Sequence, residues 1–348
     1  MLQIIPPPIF EDWNLLLPTA TPIPTGLIHR TYYVTSSNQP PLIFQRLHPI
    51  FKAEVNIDVD AVTTHVAQKG IAVPRLVPNR HGELWSEFEG VWRVLTWMPG
   101  VVLERVETPA VAYQAGIAAG LFHGAAADLH HSFRFTRLGV HDTPRHLTRL
   151  RNVVHTAGPT CANYDSLMPL AEKILRLADT LPALPHTPPR IVHGDLKISN
   201  FLFSEENFRV TAILDLDTVA LGTLPIEMGD ALRSWTNPMG EDDEQGICDA
   251  TIFEAAITGY AAGSRQWVTV DEQRSMVIGT AQIAVELASR FCTDAFEDTY
   301  FGWNPAKFAS RIEHNRVRAT GQLSLAKSIL SQQNNLESVC AAAFRAAL

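Results

Sequence analysis

The first hundred residues show two periods of apolar and polar positions. Runs with a period near two, TYYVTS, LIFQRL and VWRVLTW, predict β-strands, and the turn signals SSNQP and NRHGE lie between them. The segment EVNIDVDAVTTHVAQKG instead carries apolar residues at helical spacing and ends in Lys-Gly, as helices often do. The pattern therefore predicts a β-rich block with one helix over residues 1–97.

Beyond this block the apolar pattern becomes helical. A helix is expected to begin at Thr108-Pro109, a favourable N-cap and first-turn pair. Further helices are expected at about 165–180, 242–262, 271–293 and 305–335, and one β-rich island interrupts them at 189–217. We therefore predict an α+β fold of two domains, residues 1–97 and 98–348, which suits a chain of 348 residues.

Composition and charge narrow the class of protein. Hydrophobic residues make up 46% of the chain and charged residues 18%, which is enough to bury a sizeable core. The formal net charge of −8 argues against broad binding to nucleic acid or to an anionic membrane. The four cysteines form no CxxC pair, so neither a zinc site nor a disulfide framework is expected. Because MLQIIPPPIFEDWN lacks a basic leader, we expect a cytoplasmic protein.

The island at 189–217 concentrates polar residues at strand ends. RIVHGDLKISNFLF places Asp195 and Asn200 in a loop between two short strands, and the returning run VTAILD ends in Asp215. Two carboxylates and a carboxamide form an oxygen-rich site suited to Mg²⁺. In phosphoryl transfer, one Asp accepts the proton of the attacking hydroxyl, while an Asn and a second Asp hold Mg²⁺ on the nucleotide phosphates. We therefore predict Asp195 as the base, Asn200 and Asp215 as metal ligands, and ATP as co-substrate.

Two motifs of the island resemble a known group. HGDLKISN resembles the catalytic loop H-x-D-x-x-x-x-N of the aminoglycoside phosphotransferase and choline kinase superfamily, and ILDLD resembles its metal-binding strand end. The resemblance implies a protein-kinase-like, two-lobed fold with a β-rich N-lobe, a hinge at LTWMPG and a mainly helical C-lobe. Thr96 and Met98 of this hinge are expected to contact the nucleotide. Protein kinase activity is not expected, because Gly194 replaces the kinase arginine and the D-F-G and A-P-E motifs are missing.

Other stretches extend the resemblance over nearly the whole chain, to the N-acetylhexosamine 1-kinase branch of this superfamily. They are TGLIHRTYYV, LIFQRLHPIFK, VWRVLTWMPG, DLDTVALG, GDALRSW, ELASRFCTDAFEDTYF and EHNRVRATGQLSLAKSIL. The resemblance implies ATP- and Mg²⁺-dependent phosphorylation of a sugar hydroxyl, with the anomeric hydroxyl as the expected acceptor. The choice between ATP and GTP stays open.

Two other functions compete with the sugar kinase. The first is phosphorylation of an aminoglycoside, a choline-like amine or homoserine, for which Glu286, Asp294, Glu297 and Asp298 offer acids to hold an amine. The second is a kinase-like module that binds ligands with little catalysis. The joint presence of the base and both metal ligands argues against that second alternative, because a module that only binds needs no base.

The nucleotide-facing strands depart from the superfamily pattern. The phosphate-covering loop PTGLIHRT has one glycine, Gly26, and FQRL stands where a lysine usually pairs with ATP. Because side chains alternate along a strand, only one of Gln45 and Arg46 can face the nucleotide. We prefer Arg46, since a cation offsets phosphate charge, although the register suits Gln45 nearly as well. Its partner on the next helix is expected to be Glu54 or Asp58.

Several polar residues near the motifs have both functional and structural interpretations. His193 is expected to brace the catalytic loop rather than to carry a proton, and Asp230 resembles the helix-start aspartate that ties this loop down in the superfamily. Lys197 is either a phosphate contact or a solvated loop residue. Asp217 is either a substrate or second-metal contact or a turn cap.

Arg290 is the residue that we favour for binding the acceptor. It lies four residues before Asp294, so a helix ion pair is the alternative. The acidic run EDDE at 241–244 is expected to open a helix rather than to bind metal. His130 and His131 have no further ligand set nearby in the sequence, and metal binding there is not expected.

Overall fold

The computed structural model describes residues 5–24, 28–137, 139–158, 163–264 and 267–347. The chain forms two compact units. The first comprises residues 1–101, 125–136 and 201–220, and the second comprises residues 102–124, 137–200 and 221–348. The first boundary lies close to the one expected between residues 97 and 98. The hairpin of the β-rich island, however, folds with the N-terminal unit and not with the helical remainder.

The strands account for the predicted β-rich block and island. The described strands are β1 (Thr19–Ile23), β2 (Arg30–Thr35), β3 (Leu42–Arg46), β4 (Ser86–Glu87), β5 (Val91–Thr96), β6 (Val101–Val102), β7 (Arg190–Val192), β8 (Phe201–Phe203), β9 (Val210–Ile213) and β10 (Ala220–Gly222). The first five form one antiparallel sheet in the order β1-β2-β3-β5-β4. Strands β8 and β9 form an antiparallel hairpin that β6 joins, and β7 pairs with β10.

Helices make up most of the second unit. The described helices are α1 (Pro7–Asp12), α2 (Val55–Gln68), α3 (Pro109–Ala126), α4 (Thr143–Thr156), α5 (Tyr164–Ala178), α6 (Leu224–Trp235), α7 (Ala250–Ser264), α8 (Val270–Glu297), α9 (Arg311–Ser331) and α10 (Gln333–Ala346). The helix expected over about 305–335 is present as the shorter α9, and a separate helix, α10, follows it. Helix α4 escaped prediction because it is mostly polar. None of the described helices combines the length and apolar character needed to cross a membrane.

The five-stranded sheet separates an apolar face from a polar one. Alternate residues of β3 and β5 form a buried core with α1: Ile9, Trp13, Leu42, Phe44, Trp92 and Val94. Because side chains alternate along a strand, Gln45 and Arg93 point to the opposite face. They also lie directly across from each other in the β3–β5 register. The sheet thus places a buried charge beside an amide on the face away from α1.

Helices α6 and α8 approach each other closely at two glycines. A Cβ atom at Gly229 would lie 2.7 Å from the carbonyl carbon and oxygen of Gly279, and one at Gly279 would lie 2.1 Å from the Pro225 carbonyl oxygen. Only glycine fits at either position without moving a backbone. Helix α8 begins with a capping box in which Thr269 and Glu272 bond reciprocally. This crossing fixes the position of α6, which carries the residues that hold the catalytic loop.

Candidate active site

Asp195 lies in the loop after β7, and two residues of the same loop hold its carboxylate. The Lys197 ammonium lies 2.8 Å from Oδ2 of Asp195. Asn200 donates its side-chain amide to the same Oδ2 at 3.1 Å and to the backbone carbonyl of Asp195 at 2.7 Å. Among the described residues, these hydrogen bonds reach Oδ2 and none reaches Oδ1. The carboxylate is therefore fixed in orientation and keeps one oxygen for a hydroxyl donor.

Glu227 of α6 holds the backbone of this loop. Its carboxylate accepts hydrogen bonds from the N–H of His193 at 2.8 Å and of Gly194 at 3.0 Å. Gly194 has a φ of 80°, in the left-handed region that favours glycine. Burial raises the pKa of Glu227 and the hydrogen bond with His123 lowers it, with a net lowering. Glu227 therefore stays ionised and takes the supporting role that the sequence had suggested for Asp230.

Asp230 lies one turn further along α6 and pairs with a neighbouring arginine. The Arg233 guanidinium lies 2.9 Å from its Oδ1 and also pairs with Glu241. Burial raises the pKa of Asp230 and the charge of Arg233 lowers it, with a net lowering. The expected contact of Asp230 with the loop is corrected, because its carboxylate faces Arg233. The ring of His193, expected to brace the loop, is buried with its centroid 6.0 Å from that of Phe122.

The loop is also attached to the other end of α6. The indole of Trp235 donates to the carbonyl of Leu196 at 2.7 Å. Helix α6 thus grips the segment on both sides of Asp195, since Glu227 binds the amides before it. Just over two turns of one helix therefore determine where Asp195 lies.

The acidic run EDDE is bound by cations. Asp242 accepts hydrogen bonds from His314 at 2.7 Å and from Arg318 at 2.8 Å. Glu244 lies 2.9 Å from Arg316. The run does not open a helix, because α7 begins only at Ala250. Pairing with α9 therefore holds these acids in a turn before α7.

Asp215 follows β9 in a strained conformation. Its φ of 60° and ψ of 55° are left-handed, which costs a non-glycine residue roughly 1–3 kcal/mol. Its side chain is exposed, whereas the short 3₁₀ turn Leu216–Thr218 after it packs against α2. Strain of this kind persists where the surroundings fix the backbone. The turn that follows Asp215 is therefore the element that fixes its direction.

Asp217, in that turn, is buried and neutralised. Arg93 donates to both carboxylate oxygens, with Nη2 2.6 Å from Oδ2 and Nη1 bonded to Oδ1. His29 Nε2 lies 2.7 Å from Oδ2, and its Nδ1 accepts the backbone N–H of His48 at 3.0 Å. Burial raises the pKa of Asp217, and Arg93 and His29 lower it further than burial raises it. Both oxygens of Asp217 are thus bonded within the unit, and its contact with substrate or a second metal stays a prediction.

Strand β3 turns Gln45 and Arg46 to opposite faces of the sheet. Arg46 donates to the carbonyl of Glu89 and stands across from Trp92 on the face of α1. Gln45 accepts a hydrogen bond from Arg93 Nε at 2.9 Å. The preference for Arg46 is therefore corrected, because strand alternation turns it away from the face that carries Asp217. The cation on that face is Arg93, from the neighbouring strand.

Helix α2 contributes a neutral residue to this face. The side-chain oxygen of Asn56 accepts a hydrogen bond from Arg93 at 3.3 Å, so neither Glu54 nor Asp58 is the helix partner. Asp58 is buried and accepts hydrogen bonds from His131 at 2.7 Å and from the backbone amides of residues 134 and 135. The helix acid nearest to the expected partner is thus occupied by another segment of the unit.

The two residues of the expected hinge, Thr96 and Met98, differ in their hydrogen bonds within the protein. Thr96 donates its backbone N–H to the carbonyl of Arg75 at 2.9 Å and accepts the Arg75 amide on its hydroxyl at 2.9 Å. Its amide is therefore bonded to Arg75, and its contact with a nucleotide stays a prediction. Met98 is half-buried, and its nucleotide contact stays a prediction. Gly26 lies outside the described residues.

Arg290 pairs with a different acid from the one expected. Its Nη1 lies 3.7 Å from Oε1 of Glu286, one turn earlier on α8, and 3.3 Å from the carbonyl of Val140. Asp294 instead accepts the backbone amides of residues 299, 300 and 301. The guanidinium of Arg290 is partly exposed and uses few of its five donors. It can therefore bind a ligand while it stays on Glu286.

The other acids considered for amine binding are also engaged by the protein. Glu286 accepts the Thr143 hydroxyl at 2.7 Å, Asp294 accepts the Asn315 amide at 2.7 Å, and Glu297 and Asp298 pair with Arg149 and Arg311. His141 bonds Glu286 as well; burial lowers its pKa, but Glu286 and Asp230 raise it more. Glu286, Glu297 and Asp298 therefore have arginine partners, and Asp294 is bonded by amides.

Residues 19–263 match the sequence profile of a family described as the phosphotransferase enzyme family. The chain belongs to this family. Since the match covers both motif strands and the catalytic loop, the chain is a phosphotransferase that acts on hydroxyl groups of small molecules.

Solved structures show the fold of this phosphotransferase. An aminoglycoside phosphotransferase from Alicyclobacillus acidocaldarius is similar with a TM-score of 0.64 at 15% identity, over 96% of this chain and 98% of that one. A microcompartment-associated aminopropanol kinase gives 0.61 at 14% identity, over 93% and 96%. An amicoumacin kinase in complex with AMP-PNP and Ca²⁺ gives 0.57 at 13% identity, over 86% and 87%. The fold is therefore protein-kinase-like, as expected.

The phosphotransferase offers two side chains that suit a divalent metal. His29, Asp215 and Asp217 have ligand atoms within 4.8 Å of one another, but both nitrogens of His29 and both oxygens of Asp217 are already bonded. Asp215 is the exposed member of this group, and its carboxylate suits a divalent cation. Asn200 also fits, because its amide nitrogen faces Asp195 and leaves its carbonyl oxygen as a donor.

Sequence reasoning missed Glu227, Arg93 and His29. Glu227 could have been found, because it lies three residues before Asp230 and shares its helix face. Arg93 is a lone charge inside the apolar strand VWRVLTW, and a buried arginine needs a partner. No sequence signal identifies His29 as the partner of Asp217.

Proposed function

We propose that this phosphotransferase transfers the γ-phosphate of ATP to a hydroxyl of an N-acetylhexosamine-like sugar, with the anomeric hydroxyl as the acceptor. The observation that carries the chemistry is the carboxylate of Asp195, held through Oδ2 by Lys197 and Asn200 while Oδ1 stays available. A base fixed in this way can receive a proton without searching for its orientation.

Asp195 acts as the proton acceptor in the proposed mechanism. The acceptor hydroxyl must lie roughly 2.6–3.2 Å from Oδ1 for the proton to pass as the oxygen attacks phosphorus. Lys197 holds Oδ2 and so keeps the carboxylate oriented with Oδ1 toward the acceptor. Glu227, through the amides of His193 and Gly194, prevents the loop from turning away.

Asn200 and Asp215 are the residues that we propose to hold Mg²⁺. When bound there, Mg²⁺ would supply positive charge that offsets the charge of the nucleotide phosphates. A neutral oxygen from Asn200 and a charged one from Asp215 match the ligand preference of this ion. The amicoumacin kinase solved with AMP-PNP and Ca²⁺ supports the use of a nucleotide and a divalent cation.

The chemistry of α8 favours a sugar over an amine as the acceptor. Of the four acids expected to attract an amine, Glu286, Glu297 and Asp298 are paired with arginines and Asp294 is bonded by amides, whereas Arg290 keeps donors for ring oxygens. The sequence stretches that resemble N-acetylhexosamine 1-kinases support the same choice. The names of the aminoglycoside phosphotransferase and the aminopropanol kinase favour an amino alcohol, which is the second candidate.

A panel of acceptors tests the proposal. ATP consumption would be measured with N-acetylhexosamines, other sugars, aminoglycosides, choline, aminopropanol and homoserine, with the Asp195→Asn variant as the blank. We expect N-acetylhexosamines to give the highest kcat/KM and a product whose phosphate is lost in mild acid, as anomeric phosphates are. Faster turnover of an amino alcohol would reject the sugar and leave the phosphotransferase assignment intact.

A further inference from the structure

The buried arginine of strand β5 has no hydrogen left for a nucleotide. Arg93 has five N–H donors, as every arginine does. Its Nε and Nη2 bond Oε1 of Gln45 at 2.9 and 2.7 Å. Nη1 bonds Oδ1 of Asp217 and, at 3.3 Å, Asn56, while Nη2 also bonds Oδ2 of Asp217 at 2.6 Å. Every donor of this cation is therefore used inside the first unit.

The partners of Arg93 come from three elements of that unit. Gln45 belongs to β3 and is itself fixed, because its amide donates to Thr31 of β2 at 3.2 Å. Asn56 belongs to α2, and Asp217 belongs to the turn after β9. The Arg93 and Asp217 side chains are only 3% and 2% exposed, so water does not compete for these bonds. Arg93 thus ties the sheet and α2 to the turn that follows Asp215.

This arrangement differs from the lysine–glutamate pair that protein kinases have at this place. In protein kinases a lysine on the third strand contacts the nucleotide phosphates and pairs with a helix glutamate. Here the third strand carries neutral Gln45 on this face, the helix carries neutral Asn56, and the charge pair joins the sheet to the metal-side turn. The same location in the sheet therefore holds a cation with a different acid as its partner.

We propose that Arg93 is a positioning residue for the metal ligand Asp215. By clamping Asp217 two residues later, Arg93 fixes the turn and keeps Asp215 in its left-handed conformation with an exposed carboxylate. His29 supports the same turn through Asp217. Arg93 itself does not bind the nucleotide phosphates. This inference rests on the proposed role of Asp215 as a metal ligand.

Removal of the whole pair tests the inference without leaving a buried charge alone. The double variant Arg93→Met with Asp217→Asn carries neither charge, and such replacement of a buried pair is often tolerated. Its folding would be checked by its melting temperature and near-ultraviolet circular dichroism. Arg209→Ala is the matched control, because Arg209 is an exposed arginine of the same unit.

Two binding measurements then separate positioning from phosphate contact. AMP-PNP binding in EDTA would be measured by calorimetry, and Mn²⁺ binding with AMP-PNP present by electron paramagnetic resonance. We expect the double variant to bind metal-free AMP-PNP as the native protein does. Its Mn²⁺ affinity should fall by about 10–100-fold, as when residues behind a metal ligand are removed. Arg93→Lys keeps the positive charge but loses the planar guanidinium, so its Mn²⁺ affinity should lie between those of the native protein and the double variant.

The alternative results overturn the inference. A tenfold loss of metal-free nucleotide affinity with normal Mn²⁺ binding would make Arg93 a phosphate contact. Unchanged Mn²⁺ affinity in the folded double variant would show that Asp215 needs no anchor. Neither measurement involves an acceptor. Failure to find a phosphorylated sugar would therefore reject the proposed function while the binding data still decide this inference.

Discussion

The side chain of Asn200 bonds Asp195 twice, at 2.7 Å to its backbone carbonyl and at 3.1 Å to its carboxylate Oδ2. One residue therefore fixes the proposed base with its amide nitrogen and offers its amide oxygen to a metal. Substitutions at the two positions should accordingly have different signatures, one in proton transfer alone and the other in both processes.

Asp195→Asn keeps the shape of the side chain and removes the proton acceptor. General base catalysis contributes roughly 10²–10⁴-fold, so turnover should fall by at least about a hundredfold. Nucleotide binding, measured by calorimetry, should stay near the native value. Asp165→Asn, which changes an exposed acid of the same unit, should leave both quantities unchanged. Near-native turnover of Asp195→Asn would remove Asp195 from the mechanism.

Asp215→Ala removes the charged metal ligand. We expect almost no activity at ordinary Mg²⁺ concentrations and a steep rise in the Mg²⁺ concentration needed for half-maximal rate. Asn200→Ala should raise that concentration less, because its oxygen is neutral, but it should also lower kcat at saturating Mg²⁺, because Asp195 loses two hydrogen bonds. The Mg²⁺ dependence of initial rates gives both numbers. An identical Mg²⁺ dependence in all three proteins would contradict the metal assignment.

Glu227→Gln exchanges an acceptor of two amides for a side chain with its own N–H donors. One loop amide then faces a donor, so the free energy of unfolding should fall by about 1–3 kcal/mol at pH 7, and kcat should fall with it. Thermal melts and steady-state rates measure the two effects.

The same variant carries a pH signature. The pKa of Glu227 is lowered in the folded protein from its ordinary value of 4.5. Its ionised form therefore stabilises the fold above about pH 4.5, and this contribution is lost as the pH falls through the folded pKa. The difference in melting temperature between native protein and Glu227→Gln should shrink between pH 7 and pH 3. A constant difference would show that the charge of Glu227 is immaterial.

Arg290→Ala should lower kcat/KM for the acceptor by about tenfold or more, equivalent to roughly 1.4 kcal/mol. Because Glu286 is buried and loses one of its partners, the melting temperature should fall as well. Arg290→Lys separates the two effects. The lysine should restore stability, but not kcat/KM, since it lacks the planar fork of donors. Full recovery of kcat/KM by lysine would leave Arg290 with a structural role only.

Gln45→Ala and Arg46→Ala compare the two faces of one strand. Gln45 bonds Arg93, so its loss should raise the Mg²⁺ concentration needed for half-maximal rate, as changes at Arg93 should. Arg46 bonds the carbonyl of Glu89 on the opposite face, so its loss should leave the KM for ATP within about twofold of native. Initial rates over a range of ATP and Mg²⁺ concentrations test both. A large rise in KM for ATP in Arg46→Ala would restore the original preference.

The sequence predicted those features that depend only on local period and spacing. The alternating strands, helix α2 and the loop from Asp195 to Asn200 follow from period and spacing, and the structure contains them. Partner choice did not follow from spacing. Arg290 and Asp294 lie four positions apart on the helix, yet they do not pair. Asp294 accepts the backbone amides of residues 299–301, and Arg290 pairs with Glu286. Likewise, its charge made Arg46 the preferred nucleotide contact, but strand alternation places Arg93, and not Arg46, on the sheet face that carries Gln45.

The glycine contact between α6 and α8 also limits how this enzyme can be re-engineered. Alanine at Gly229 or Gly279 would push the two helices apart, and Glu227 and Trp235 would carry the loop of Asp195 with them. Such a change alters no charged or polar group, yet it should lower the rate of phosphorylation of every acceptor by the same factor. A mutant library aimed at new acceptors should therefore keep both glycines constant and vary the exposed surface near Arg290. Reduced rates that arise at the two glycines would otherwise be mistaken for altered selectivity.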